Sequence, residues 1–147
     1  MSQYLDFTLL NKENPEITVD LGYWCTSIAR GISYNFDNIF PYTSDDVELD
    51  SNTLKNYIEL LHNGIEEYRK HLREEQERKK ENTELLLKAQ TQVAIDAIKE
   101  EINMNEDSIE DWQSEIETWT MVEDKLNFIL NILEENAEAW KLTYSNS

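Results

Sequence analysis

Six apolar residues, Leu54, Ile58, Leu61, Ile65, Tyr68 and Leu72, recur at steps of four, three, four, three and four. A strand alternates its faces every second residue and cannot gather that set on one side, whereas an α-helix can. The stripe lasts nearly three heptads, too few for a free-standing coiled coil, so packing within a bundle is expected. Only 3 Gly and 2 Pro punctuate the 147 residues, which favours long helices over many short strands. One domain with a core of its own is within reach of this length.

Beyond the stripe, residues 73–84 (REEQERKKENTE) contain no apolar side chain, though most of them favour helix. The stripe then resumes through Leu86, Ala89, Val93 and Ala97, widened by Leu85, Leu87, Ala94, Ile98 and Ile102. Ser108 followed by Asp111 resembles a capping box, with Asp for the usual Glu, and predicts a last helix over residues 108–142. Its seam is Ile109, Trp112, Ile116, Trp119, Leu126, Leu130, Leu133, Ala137 and Trp140, interrupted at Glu123. Phe128, Ile129 and Ile132 broaden its second half.

A register test constrains how these pieces fit. One straight helix over residues 52–104 would be about 80 Å long. A last helix folding back near Asn105 would then set Leu130 near Glu81 and Leu126 near Glu84. Burying oil against charge in that way is costly. The favoured expectation is a bend around residues 80–83, with Asn82 or Thr83 capping a new helix. The alternative keeps the long helix and covers residues 126–133 with the N-terminal unit or a second subunit.

The first 50 residues differ. YLDFTLL (residues 4–10) alternates in part and predicts a strand; NKENP turns the chain; EITV (residues 16–19) predicts a second strand. Asp20 is a fair N-cap, and Leu21, Trp24, Cys25, Ile28 and Ile32 share a helical face, predicting a helix over residues 21–34. Gly22 and Gly31 weaken that helix by roughly 1 kcal/mol each. NIFPYTSDDVELDS (residues 38–51) reads as a connection. The predicted class is therefore mainly α: a helical bundle or long helical hairpin with a small N-terminal β element. Residues 1–50 form a strand and helix unit packed on the helices of residues 51–147, one compact domain in all.

The formal net charge is -18. Repulsion on that scale keeps a chain away from DNA backbones and anionic membranes and points to a basic partner, or to solubility alone. Residues 1–50 hold 9 acids and 2 bases, residues 51–104 hold 11 and 9, and residues 105–147 hold 11 and 2. The middle is balanced at spacings that suit i,i+4 pairs. In the last segment Glu110, Asp111, Glu115, Glu117 and Asp124 are the candidate partner-binding residues. Acids in a first helical turn suit the helix dipole, but those beyond it only repel one another. DNA carries a phosphate about every 1.7 Å of axis, a field that rows of carboxylates on a rigid helix could imitate.

Signals for catalysis are weak. His62 and His71 lie nine apart, which separates them on a helix, although Glu66 and Glu67 are near in sequence. No Walker loop, GxGxxG, nucleophile elbow or Cys/His cluster is present. The single Cys25 excludes an internal disulfide and reads as a small core residue. The tryptophans read mainly as core packing, with interface hot spots as the alternative. A non-enzyme with no cofactor or metal is expected. No run of about 18 apolar residues occurs, so a cytoplasmic setting without membrane contact is the default.

EITVDLGYWCTSIARGISYNFDNIFPY, followed by LKNYIELLHNGIEEYRKH, resembles a group of small bacteriophage and prophage proteins. Ile17, Thr18, Asp20 and Leu21 stand where that group passes from strand to helix, Pro41 in its aromatic and proline segment, and Leu61 and Gly64 in its Leu-rich helix. Val19 and Asp20 replace the group's His and Asn, and its Trp-Arg-Pro element is missing. The likeness covers less than the first half of the chain and implies a phage or mobile-element origin, with no activity attached. Together with the charge, it gives the leading expectation: a non-enzymatic acidic inhibitor of a host defence or nucleic-acid-handling protein, acting on a basic surface, with DNA mimicry as its sharpest form. A homodimer formed through the seam of the last helix, and a small-molecule sequestering protein, are the alternatives.

Overall fold

The computed structural model describes the backbone of residues 3–25 and 39–147, and the side chains of residues 4–22 and 39–147. The element order is β1 (Gln3–Asn11), β2 (Thr18–Cys25), β3 (Val47–Leu49), α1 (Ser51–Lys88), α2 (Gln92–Glu135) and β4 (Trp140–Asn146). The chain is mainly α, with two long helices and a four-stranded antiparallel sheet in the order β2-β1-β4-β3. It divides into two compact units, one of Met1–His62 with Val122–Ser147, the other of Asn63–Met121. Residue 50, the boundary expected from composition, is where α1 is capped; the units divide inside both helices.

The first unit contains the sheet. Leu5, Phe7 and Leu9 of β1 are buried while Tyr4, Asp6, Thr8 and Leu10 are partly exposed, the period-two alternation of a strand with one wet face. Asn11 shapes the turn to β2, its side-chain oxygen accepting from the backbone N–H groups of Glu13 and Asn14. The second strand is longer than expected. Residues 21–25, read from sequence as the start of a helix, continue β2 and pair with β1 from Phe7↔Leu21 to Gln3↔Cys25. The rest of that expected helix, with Ile28, Gly31 and Ile32, lies outside the described residues, as do the side chains of Trp24 and Cys25. Gly22 has a local reason: a Cβ there would come within 2.0 Å of the Tyr4 hydroxyl.

The C-terminal residues correct the expected last helix. α2 ends at Glu135, and Trp140–Asn146 form β4 between β1 and β3. Ala137 and Trp140 therefore leave the helical seam. Leu142, Tyr144 and Asn146 point into the core from β4. Residues 38–51, read as a connection, supply the short β3, paired to β4 by Val47↔Tyr144 and Leu49↔Leu142. Phe40 is buried against Phe7 edge-on at 5.9 Å, and Tyr57 of α1 meets Phe40 edge-on at 6.0 Å and lies tilted against Tyr144 at 5.5 Å. Burial there pushes the Tyr57 phenol up. The Tyr144 hydroxyl donates to the Pro41 carbonyl at 2.5 Å and the Asn146 amide to the Phe40 carbonyl at 2.7 Å. These bonds hold the segment before β3 onto β4.

The helices turn where neither sequence expectation put the turn. α1 passes unbroken through residues 80–83, and α2 passes unbroken through Asn105, Ser108 and Asp111. The reversal lies at Ala89, Gln90 and Thr91, where Thr91 caps α2 by accepting from the Ala94 N–H at 3.2 Å. A turn at that point removes the mismatch. In the first unit Lys55 pairs with Glu134 at 2.6 Å and His62 with Glu123 at 3.1 Å. Leu126, Ile129 and Leu133 thus run antiparallel to the stretch that holds Leu54 and Leu61, and all are buried. Asp50 caps α1, accepting from the Thr53 N–H at 2.7 Å, which holds its carboxyl below the usual aspartate range.

Leu126→Ala is expected to lower unfolding free energy by about 2–5 kcal/mol in urea titration, since Leu126 is fully buried. Leu87→Ala, at an exposed position, should change it by no more than about 0.5 kcal/mol.

Candidate functional site

The carboxylates singled out from sequence all lie on α2. Glu110, Asp111 and Glu117 are exposed on the second unit, and Asp124 is exposed on the first. Glu115 is half-buried and accepts from the Trp119 indole N–H at 2.9 Å, so it also serves the core. At 100° per residue, Glu110 and Glu117 share a face of the helix, together with Glu106, while Asp111 and Glu115 lie about 100–140° around it. The five residues are therefore not one cluster. Glu110 and Glu117 make no ion pair among the described residues, whereas Glu106 meets Lys79 at 3.3 Å.

Residues 105–121 hold six acids and no base. The opposing α1 segment of the second unit pairs several of its charges along its own helix. Arg69 donates to Glu66, Arg78 donates to Glu75, and His71 lies 3.5 Å from Glu67 and 3.6 Å from Glu74. These i,i+3 and i,i+4 contacts are internal to α1, and Glu110 and Glu117 of α2 have no ion pair among the described residues.

What anchors that surface is a small polar layer. Asn105 is buried, accepts from the Asn82 amide at 2.8 Å, and donates to a Glu75 carboxylate oxygen at 3.1 Å. Slipping one helix along the other would leave these groups unpaired, so the layer fixes register. Next to it Trp112 stacks on His71 at 4.9 Å and tilts against Tyr68 at 5.4 Å. Trp119 is buried and Trp140 half-buried, which is the packing role expected of them.

The histidines have separate partners. His71 belongs to the Trp112 stack; His62 bonds Glu123, the residue that interrupts the seam. Near this second pair an open groove of about 310 Å³ is lined by Lys55, Ile58, Glu59, His62, Asn127 and Leu130. Among the described residues no group of three or more His, Cys, Asp or Glu could hold a metal ion. The His62–Glu123 pair was hidden in the sequence because the residues lie 61 positions apart.

A different acidic group sits on the sheet. Asp6 of β1 is raised above the usual aspartate range, first by burial and then by the charges of Asp20 and Asp46, against a hydrogen bond from Thr8 that lowers it. Among the described residues no helix is long and apolar enough to cross a membrane. In comparison with known proteins, no family model, curated protein or solved structure matches the chain.

A raised carboxyl favours the protonated form in the fold, so its contribution is full at low pH and is lost as pH rises through the folded value. Asp6→Asn mimics the protonated state. It should raise stability by no more than about 0.5 kcal/mol at pH 7, because solvent screens a half-exposed group, and give no gain below the ordinary aspartate range. Thermal melts at the two pH values check this; an equal gain at both would remove the electrostatic cause.

Proposed function

We propose that this chain is a non-enzymatic acidic inhibitor that binds a basic surface of a host protein, a defence or nucleic-acid-handling factor, through the carboxylates of α2. The observation that carries the reading is the run of six acids without a base in residues 105–121, five of them exposed on one rigid helix. Concentrated like charge on a helix works against folding unless a cation meets it. Ion pairing within the chain engages Glu66, Glu75 and Glu106 and leaves Glu110 and Glu117 to solvent. Glu110 and Glu117 stand about 10 Å apart along the axis, and Glu106 and Glu110 about 6 Å apart, spacings within reach of neighbouring phosphate-binding side chains. The sharpest form of the proposal is therefore competition with DNA for a basic groove, and the resemblance to phage proteins supplies the setting.

The runner-up, a homodimer built on the C-terminal seam, loses support because Trp119, Leu126 and Leu133 are already buried within the chain.

The test uses the full chain to capture partners from a bacterial lysate at low and raised salt, followed by competition of each purified partner against labelled duplex DNA. Capture should weaken with salt and DNA should be displaced. Joint replacement Glu110→Lys, Asp111→Lys, Glu117→Lys and Asp124→Lys should weaken the contact by about tenfold or more with the helical circular dichroism unchanged. Glu115→Gln, which keeps an acceptor for Trp119, should retain folding and lower affinity less. Undiminished capture by the lysine variant would reject the acidic face as the contact.

A further inference from the structure

The sheet of the first unit has one long edge. β2 is an outermost strand and runs for 8 residues, against the 3 of β3 at the other margin. Asn11 donates its backbone N–H to the Ile17 carbonyl, which makes these two a hydrogen-bonded pair of the antiparallel ladder. Such pairs alternate along two antiparallel strands, so Val19 and Leu21 turn their backbone groups to Leu9 and Phe7 of β1. Thr18, Asp20 and Gly22 then direct their N–H and C=O groups away from β1, where none of the described residues takes them up. A row of such groups at two-residue spacing is a template for the backbone of another strand.

The inner side of this edge is unfilled. A cavity of about 200 Å³ lies between Val19, Asp20 and Leu21 of β2 and Lys125, Phe128 and Ile129 of α2. No β1 residue lines it, so it lies at the margin of the sheet and not under its centre. Phe128 is 57% exposed there. A strand added to β2 would turn every second side chain inward, onto Phe128 and into this cavity, while the others would stand on the outer face.

Charge says which strand fits. The ladder sets Asp6, Asp20 and Glu48 on the outer face of the sheet through the pairs Asp6↔Gly22, Thr8↔Asp20, Thr8↔Thr143 and Glu48↔Thr143, with Lys141 as the base of that face. The charge of Asp20 already bears on Asp6. A second copy of the chain fits this edge poorly. Its β2, TVDLGYWC, has no Lys or Arg, and each copy has a formal charge of -18. Basic side chains on the outer face of an added strand would meet Asp20 and Asp6 instead.

We propose that the free edge of β2 takes an extended segment of a partner protein in which apolar and basic residues alternate. The apolar ones enter the cavity beside Phe128, the basic ones stand over Asp20 and Asp6, and the main chain bonds Thr18, Asp20 and Gly22. This surface is apart from the carboxylates at residues 105–121 and does not depend on the inhibitor reading.

The probe is a short labelled peptide of alternating valine and lysine, titrated against the full chain and read by fluorescence anisotropy. Saturable binding is expected, weaker by about tenfold or more for a valine and glutamate peptide and for one methylated on alternate backbone nitrogens. Amide hydrogen exchange at Thr18, Asp20 and Gly22 should slow when the peptide is added, while Val19 and Leu21, already bonded to β1, should change less. Thr18→Pro removes one outward N–H, and Phe128→Glu removes the apolar shelf from an exposed position. Each should weaken binding by about tenfold, with the fold checked by circular dichroism. Asp20→Lys should turn the preference toward the valine and glutamate peptide. The variant Glu110→Lys, Asp111→Lys, Glu117→Lys should bind the peptide as the native chain does; loss of binding there would assign the peptide to α2 and overturn the proposal. So would no binding by the native chain, equal binding of the methylated peptide, or unchanged exchange at Thr18, Asp20 and Gly22.

Discussion

Pairing of β1 with β4 is the constraint on which the first unit depends. It joins residues from opposite ends of the sequence, from Leu5↔Asn146 to Asn11↔Trp140. Everything that lies between must return the chain to that edge. The buried faces of both strands, Phe7 and Leu9 from one and Leu142 and Tyr144 from the other, need an apolar cover. The helix segments of residues 51–62 and 122–135 supply it with Leu54, Leu61, Leu126, Ile129 and Leu133. A strand pair so distant in sequence closes a long loop, and loop closure is repaid only once the helices have also packed.

The second unit solves a different problem. It has no sheet among its described residues and few fully buried large side chains, chiefly Ile65, Tyr68 and Trp119. Polar contacts carry register where the core is thin. Asn105 with Asn82 and Glu75, and the ring stack of His71 on Trp112, tie the helices at defined levels. A half-satisfied version of that layer would be worse than none, because each buried group would forfeit water without replacement. Such a hairpin can hold carboxylates at fixed spacing along one helix.

Much of this was legible in the sequence. The heptad stripe marked α1, the alternation of Leu5, Phe7 and Leu9 marked β1, and the oily run through Leu126 and Leu133 marked the buried half of α2. Three features were not legible. The turn at residues 89–91 contains neither Gly nor Pro, and its cap, Thr91, is no stronger locally than Asn82 or Ser108. β2 carries a helical spacing through Leu21, Trp24 and Cys25, and its pairing with β1 overrode it. β4 follows a helix without a break signal, and its alternation of Leu142, Tyr144 and Asn146 ends in a polar residue that only buried partners make acceptable. The candidate carboxylates were visible as a charge excess, but their separation around α2 and the partner of Glu115 were not.

The sequence by itself determined the helical class, the strand at the start, and the sign and position of the charge, because these follow from local periodicity and from residue identity. Only the tertiary structure decided where the helices reverse, that the C-terminal residues are a strand, and which charges are already paired. Those outcomes depend on which distant surface each segment meets, and burial energy between distant segments outweighs the small local preferences that a sequence displays.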